Sequence, residues 1–389
     1  MLCRPRTSKQ KTQFCSLAFL ALIFTIFVIE KMVFAVRFVT MGRPAILYGS
    51  PMEWNDVKGC LSTSYKQELV DYMREAKTNR ASMPLNENIV WNWHRYSQNS
   101  NQTASIRNAP KRKVLIAQYS GFGSYSKILQ EVEPVNRAYA KKWGHDYVTL
   151  QGTALHFPGL SYENSTTEHD DTRKCPNLQS GYEAQSTFNK IPLLIKALEM
   201  SKRADANENS NQHYYDQVLI LDTDTMIVNL DFDISRLLVR SSHEYFLAAY
   251  RVWWNDWHWT WDVNAGITLW NLHHPTTQQV AHDWLQRSLT HPKDVLLKND
   301  DQFFLQRALM SLGWWTRMRY AVRTVRDEFE YYDATLIKHF KRDARSWSRT
   351  SLEQRLLRIQ EAKAVVCAQW KEDCAAIEQE MEAAVSLDD

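Results

Sequence analysis

Leu219-Ile220-Leu221-Asp222-Thr223-Asp224 is the stretch on which the reading of this chain turns. Its apolar part, residues 218–221, has strand length and no polar alternation, the pattern of a strand buried on both faces. Such strands belong to α/β sheets, whose ligands gather at the carboxyl ends of the strands. Alternate residues of an extended backbone share a side, so Asp222 and Asp224 are expected to project together into that crevice. Two hard oxygen ligands there suit Mg²⁺ or Mn²⁺, with positions left open for a diphosphate. An EF-hand is excluded, because Met226 and Ile227 stand where that loop needs a third oxygen ligand and its glycine. A surface turn also produces Asp-x-Asp by chance, so the surrounding chain has to decide.

Upstream, residues 114–119 form a short apolar run, and Ser120-Gly121-Phe122-Gly123 leads into a helical period. Ile128, Val132, Val135 and Tyr139 fall on one helical face, and residues 147–150 read as the next strand. A second helix is expected to open near Asn189, with Pro192 in its first turn and Ile191, Leu194, Ile195 and Leu198 on one stripe. Alternating strands and helices give an α/β fold with a Rossmann-like sheet. The Gly121-Phe122-Gly123 loop also resembles a dinucleotide-binding turn, but Ser126 holds the third glycine position and Gln151 follows the second strand where an acid is needed. A nicotinamide-dependent oxidoreductase is therefore the weaker alternative.

The chain of 389 residues carries a net charge of +3, too small for charge alone to imply a nucleic-acid or membrane-surface role. Arg4, Arg6, Lys9 and Lys11 precede an uncharged run at residues 14–29, and apolar residues resume beyond Glu30 and Lys31. Sixteen residues of helix reach roughly 24 Å, and a span through residue 36 with the charged pair snorkelling crosses a bilayer. A cleaved signal peptide ending near Ala35 competes with an uncleaved anchor, which is favoured, and the basic residues ahead of it place the N-terminus in the cytosol. Sequons at Asn101 and Asn164, and four cysteines beyond the span (Cys60, Cys175, Cys367 and Cys374), agree with an oxidising lumen. Four cysteines allow three pairings. If residues 365–384 are one helix, Cys367 and Cys374 lie about 10 Å apart along its axis and do not bond each other. After Arg345 the pattern reads as one long helix, acid-rich from residue 351 onward, a solvated, docked appendage rather than a site.

Several blocks in order resemble the GT-A nucleotide-sugar glycosyltransferases, most closely glycosyltransferase family 34 with its α-galactosyl-, α-mannosyl- and xylosyltransferases. They are Asn136-Arg137-Ala138-Tyr139-Ala140 with His145-Asp146-Tyr147, Asn189-Lys190-Ile191-Pro192, Asp222-Thr223-Asp224, Asn264-Ala265-Gly266, Asn299-Asp300-Asp301-Gln302 and Ile337-Lys338-His339-Phe340. The resemblance implies a metal (Mn²⁺ or Mg²⁺) on Asp224 and His339, with Asp222 on the metal shell or the ribose. It implies Asp301 and Gln302 facing the donor sugar of a UDP- or GDP-sugar. In the family a small residue and Gly follow the His-Phe pair; here Lys341 and Arg342 do, and either would supply a cation for the leaving diphosphate.

The resemblance also implies a retaining hexosyl- or pentosyltransferase acting on a glycan acceptor, and the anchor, cysteines and sequons lead to the expectation of a single-pass type II protein of the Golgi or ER membrane. The expected order is a cytosolic tail (1–13), an anchor (14–36), a luminal stem (37–112), a catalytic domain (113–345) and a C-terminal helical appendage (346–389). No nucleic-acid partner is expected, and the oligomeric state is open. A catalytically inactive, sugar-binding GT-A scaffold is the main alternative. The aromatic segment just before Asn264, with Trp253, Trp254 and Trp257, is expected to offer ring faces to the acceptor sugar, with Asn264 beside it, although such rings also fill cores. His258, His273, His274 and His282 lack any recognised zinc-ligand spacing.

Overall fold

A computed structural model describes residues 25, 26, 28, 29, 32, 89–96, 112–121, 124–155, 186–205, 214–240, 243–251, 263–290, 301–313, 316, 323, 324, 328–330, 334–340 and 352–385. The chain divides into two units, Met1–Glu53 and Trp54–Asp389. In the first, the described residues Thr25, Ile26, Val28, Ile29 and Met32 are helical. Among the described residues no helix is long and apolar enough to cross a membrane. Most of the expected anchor lies outside them, as do Cys60, Cys175 and both sequons.

The second unit is built on a seven-stranded sheet. Its strands are β1 (Val90–His94), β2 (Val114–Ser120), β3 (Asp146–Gln151), β4 (Gln217–Leu221), β8 (Leu247–Arg251), β9 (Val263–Asn271) and β10 (Arg323–Thr324). They lie side by side in the order β1-β3-β2-β4-β9-β8-β10. β3, β2 and β4 are mutually parallel, β9 runs against β4, and β1 runs against β3. β2 and β4 are buried at every position, which accounts for their unbroken apolar reading. β1 falls in the segment read as stem, where no periodicity announces it. Its pairing with β3 makes it part of the sheet, and Trp91 and Trp93 pack against the core.

The two faces of β2 and β4 feed separate cores, because successive side chains point opposite ways. Leu115, Ala117, Val218 and Ile220 face one side, under the helices α2 (Lys190–Asp205), α3 (Pro275–Thr290) and α4 (Asp301–Ser311). Val114, Ile116, Leu219 and Leu221 face the other, under α1 (Ser124–Trp143). Every apolar residue expected on the α1 face is fully buried there, Ile128, Val132, Val135 and Tyr139 alike. On the α2 stripe Ile191, Leu194 and Leu198 are buried, while Ile195 only packs at the margin. A small sheet of β11 (Phe329–Glu330), β12 (Ile337–His339) and β5 (Thr225–Ile227) sits beside the end of β4. A hairpin of β6 (Val239–Arg240) and β7 (His243–Glu244) completes the described strands.

The expectation of one long C-terminal helix is wrong. The chain forms two helices, α5 (Leu352–Gln369) and α6 (Lys371–Val385), which reverse at Trp370 and both lie on α1. A straight helix of that length would extend about 50 Å and carry Ile377 off the core. Folding back buries Ile359, Val366 and Ile377 in the core beneath α1. Glu380 pairs with Arg137 (3.1 Å) and Lys141 (2.6 Å), and Asp373 with Lys142 (3.0 Å). The reversal also overturns the exclusion of one cysteine pairing: Cys367 and Cys374 form a disulfide, their Cα atoms 5.6 Å apart. Non-reducing peptide mapping is expected to recover that cross-link. Cys374→Ser should lower stability by about 2 kcal/mol, the chain-entropy value for so short a loop, measured by denaturant titration.

Candidate metal centre and donor crevice

β4 ends at Leu221, and the Asp222-Thr223-Asp224 segment that follows is a turn rather than an extension of the strand. Its closure comes from Thr225, whose N–H (3.1 Å) and hydroxyl (2.7 Å) both donate to the Asp222 carbonyl. Thr223 turns away and donates its hydroxyl to the Tyr119 carbonyl (2.6 Å). The two carboxylates therefore converge through turn geometry, not through strand alternation. Beneath them the Gln118 amide donates to the carbonyls of Asp222 (2.9 Å) and Thr225 (3.1 Å). Gln118 in turn accepts from Asn136 (2.9 Å) and the Tyr147 hydroxyl (2.7 Å), and Asn136 also accepts from the Ile227 N–H (2.8 Å). The Asn136 and Tyr147 blocks thus serve as the floor of the turn.

β12 pairs antiparallel with β5 so that His339 stands opposite Thr225, and the Phe340 N–H donates to the Asp224 carbonyl (2.8 Å). This brings Asp222, Asp224 and His339 together, one ligand atom from each lying within 4.8 Å of the others. Each carboxylate is divided between two tasks. Asp222 Oδ1 is held by Lys190 Nζ (2.8 Å) and the Tyr119 hydroxyl (2.5 Å), while its Oδ2 lies 3.4 Å from His339 Nε2. Asp224 Oδ2 is held by Arg355 (2.5 Å), and its Oδ1 lies 3.1 Å from His339 Nε2. One oxygen of each acid is tied down and the other faces the imidazole.

Burial alone would raise both carboxyl pKa values, but the neighbouring side chains outweigh it. Lys190 and His339 hold Asp222 below the usual range, and His339 and Arg355 hold Asp224 well below it. Burial would likewise lower Lys190, yet the charges of Asp222 and Asp301 keep it above its ordinary value. The Tyr119 phenol is pushed well up by burial and by the same acids, so it stays a donor.

The metal fits these residues. Two carboxylate oxygens and an imidazole nitrogen are a donor set that Mn²⁺ accepts. Gly266 leaves the space: a Cβ there would stand 2.4 Å from His339 Cε1, 2.7 Å from Asp222 Oδ2 and 2.9 Å from Asn264 Oδ1. Two buried cations serve the acids: Lys190 pairs with both Asp222 and Asp301, and Arg355 pairs with Asp224.

Asp301 begins α4, is 3% exposed, and pairs its Oδ2 with Lys190 Nζ at 2.7 Å. Gln302 accepts the Ala265 N–H (3.2 Å), and Asn264 accepts the Gly266 N–H (2.7 Å). Asn264-Ala265-Gly266 lies within β9, and the Asn264 side chain is engaged with the backbone of that strand. Trp253, Trp254, Trp257, Lys341, Asn299 and Asp300 lie outside the described residues. Lys190 and Arg355 were not singled out from sequence. Arg355 shares a helical stripe with Leu352, Ile359 and Val366, and a basic residue on an otherwise apolar face was the available signal. The C-terminal hairpin, read as a solvated appendage, thereby reaches the centre.

No known protein family and no curated protein matches the chain. Among solved structures it is similar to a glycosyltransferase involved in glycosylation of the major capsid of PBCV-1, at 12% identity and a TM-score of 0.37, covering 64% of this chain and 99% of that one. It is similar to the glycosyltransferase GlyE of Streptococcus pneumoniae at 12% identity and a TM-score of 0.34, covering 67% and 63%. The galactosyltransferase LgtC, solved with donor and acceptor sugar analogues, gives 15% identity and a TM-score of 0.27, covering 67% and 99%. Overlaps this loose leave the chain's chemistry to be argued from its own residues.

Gly266→Ala is expected to leave the fold intact and weaken Mn²⁺ binding about tenfold or more, because the new methyl displaces His339 and Asp222. Electron paramagnetic resonance titration of free Mn²⁺ reads this directly; unchanged affinity would remove Gly266 from the site.

Proposed function

We propose that the chain is a metal-dependent nucleotide-sugar glycosyltransferase of the GT-A type. The observation that carries this reading is the Asp222, Asp224 and His339 group at the carboxyl end of a buried central strand, with one oxygen of each acid anchored and the other facing His339. Supporting it is Lys190, which ties the Asp222 turn to Asp301 at the start of α4. A divalent cation held there neutralises the charge that develops on a departing diphosphate.

Asp222, Asp224 and His339 bind in this reading, and the anchored oxygens keep the carboxylates from reorganising. Asp301 and Gln302 orient the donor sugar, Asp301 opposing positive charge at the anomeric carbon. An Asp301 oxygen held 2.7 Å from a buried ammonium is a poor nucleophile, which favours same-face attack with retention of configuration. Lys341, next in sequence to Phe340, is proposed as a cation for the leaving group. Trp253, Trp254 and Trp257 are proposed to meet a glycan acceptor, with Asn264, near the start of β9, proposed as a further acceptor contact. UDP- or GDP-linked hexose or pentose is the donor class, and family 34 remains the expected family.

The test is Mn²⁺-dependent release of nucleoside diphosphate across a panel of UDP- and GDP-sugars. Asp224→Asn is expected to lower turnover of the folded protein roughly a hundredfold or more, with a lowered melting temperature because Arg355 loses its buried charge partner, and proton NMR of the first product should show an α-glycoside from an α-donor. Full activity in excess chelator, or in Asp224→Asn, would sink the metal reading, and a β-product would remove the family. Nucleotide binding without turnover would favour the inactive scaffold.

The setting is proposed from sequence: residues 14–36 as a type II anchor in the Golgi or ER membrane, with the remainder luminal. Endoglycosidase treatment of protein from secretory cells is expected to reduce its mass through Asn101 and Asn164. A protease-protected N-terminal tag in sealed vesicles would reverse the orientation.

A further inference from the structure

We infer that Arg355 is a positioning residue of the metal centre, which makes the C-terminal hairpin an integral part of the site. The inference rests on the metal reading above. Arg355 lies in the first turn of α5, is 5% exposed, and divides its guanidinium between two acceptors on the site's wall. One terminal nitrogen holds Asp224 Oδ2 at 2.5 Å, and Nε donates to the Phe340 carbonyl at 3.2 Å. Phe340 itself donates to the Asp224 carbonyl and follows His339 in the chain. A single planar fork therefore fixes a carboxylate ligand and the backbone beside the imidazole ligand, a task that suits Arg and not Lys. Cζ also lies 5.9 Å from the centroid of the Tyr125 ring at the start of α1, which limits the guanidinium's freedom.

The consequence for Asp224 is directional. With Oδ2 occupied, Oδ1 is the oxygen presented toward His339 Nε2. Asp222 is divided in the same manner by Lys190 and Tyr119, but those partners come from the sheet and α2. Among the described partners of the two acids, Arg355 is the one from the C-terminal helices, which Glu380 and Asp373 hold on α1. Two effects then oppose one another. A guanidinium close to a dication repels it, so its removal by Coulomb's law alone would tighten metal binding. Orientation of a ligand by its outer partner works the other way, typically by ten- to a hundredfold.

The sign of the effect is thus the test. Mn²⁺ affinity of the full chain, read by electron paramagnetic resonance titration of free Mn²⁺, is to be compared for the wild type, Arg355→Gln, Arg355→Lys and Glu380→Gln. Arg355→Gln is expected to bind about 10- to 100-fold more weakly. Arg355→Lys keeps the charge and so folds most readily; it should show a smaller loss because it cannot span both acceptors. Glu380→Gln loosens the hairpin away from Asp224 and should lower the melting temperature while leaving Mn²⁺ affinity within about twofold. Equal or tighter binding in Arg355→Gln overturns the inference, as does wild-type affinity in Arg355→Lys if the Gln variant does not fold. A loss in Glu380→Gln matching that in the Arg355 variants also overturns it, by assigning the effect to hairpin docking. If the wild type binds no Mn²⁺, the metal reading fails and this inference with it; failure in the variants alone leaves that reading standing.

Discussion

Carboxylates crowded at the rim of a buried sheet repel one another and lose hydration, and everything else about this site answers that problem. Lys190 stands between Asp222 and Asp301 and Arg355 pairs with Asp224, and these cations, each nearly inaccessible to solvent, help hold Asp222 and Asp224 ionised against the cost of burial. Lys190 bridges two acids from different elements, so a single ammonium fixes the distance between the turn after β4 and the start of α4. Removing either cation leaves an unpaired charge in a poorly hydrated place, a change that costs on the order of 3–5 kcal/mol in buried pairs.

The turn that carries the acids rests on neutral hydrogen bonds rather than on charge. Gln118, Asn136 and Tyr147 form a buried network whose members are all engaged, the condition under which polar groups in a core lend rigidity. Asn189 plays a similar part on the other face, accepting the Ala154 N–H and donating to the Gly152 carbonyl at 2.7 Å each. Gly152 has φ at 104°, a left-handed value that glycine adopts without strain. Blocks that look like site motifs in the sequence are here divided between floor and ligands.

The C-terminal hairpin shows how an acid-rich amphipathic segment can be misread. Its exposed charges dominate its composition, yet the buried stripe of α5 carries Arg355 inward while Ile359 and Val366 bury against α1. The disulfide and the Glu380 pairs hold the reversed helix, while the buried Ile359 and Val366 seat α5 itself and with it the guanidinium near its start.

The sequence by itself determined the buried strands β2, β3 and β4 and the faces of α1 and α2, because periodicity and apolar runs are local consequences of burial on one side or two, while the buried β8 and β9 went unread. It also determined which acids end the central strand, since a strand's end is marked where an apolar run meets polar residues. Tertiary structure decided how those acids converge. The Asp222–Thr225 turn, the pairing of β12 with β5 that delivers His339, and the approach of Lys190 all depend on contacts between residues far apart in the chain. It decided too that β1 joins the sheet, that the last helix folds back, and that Cys367 meets Cys374. Helical periodicity gives direction along an axis but carries no record of where the axis reverses, and a buried cation has no local pattern beyond its place on an apolar stripe.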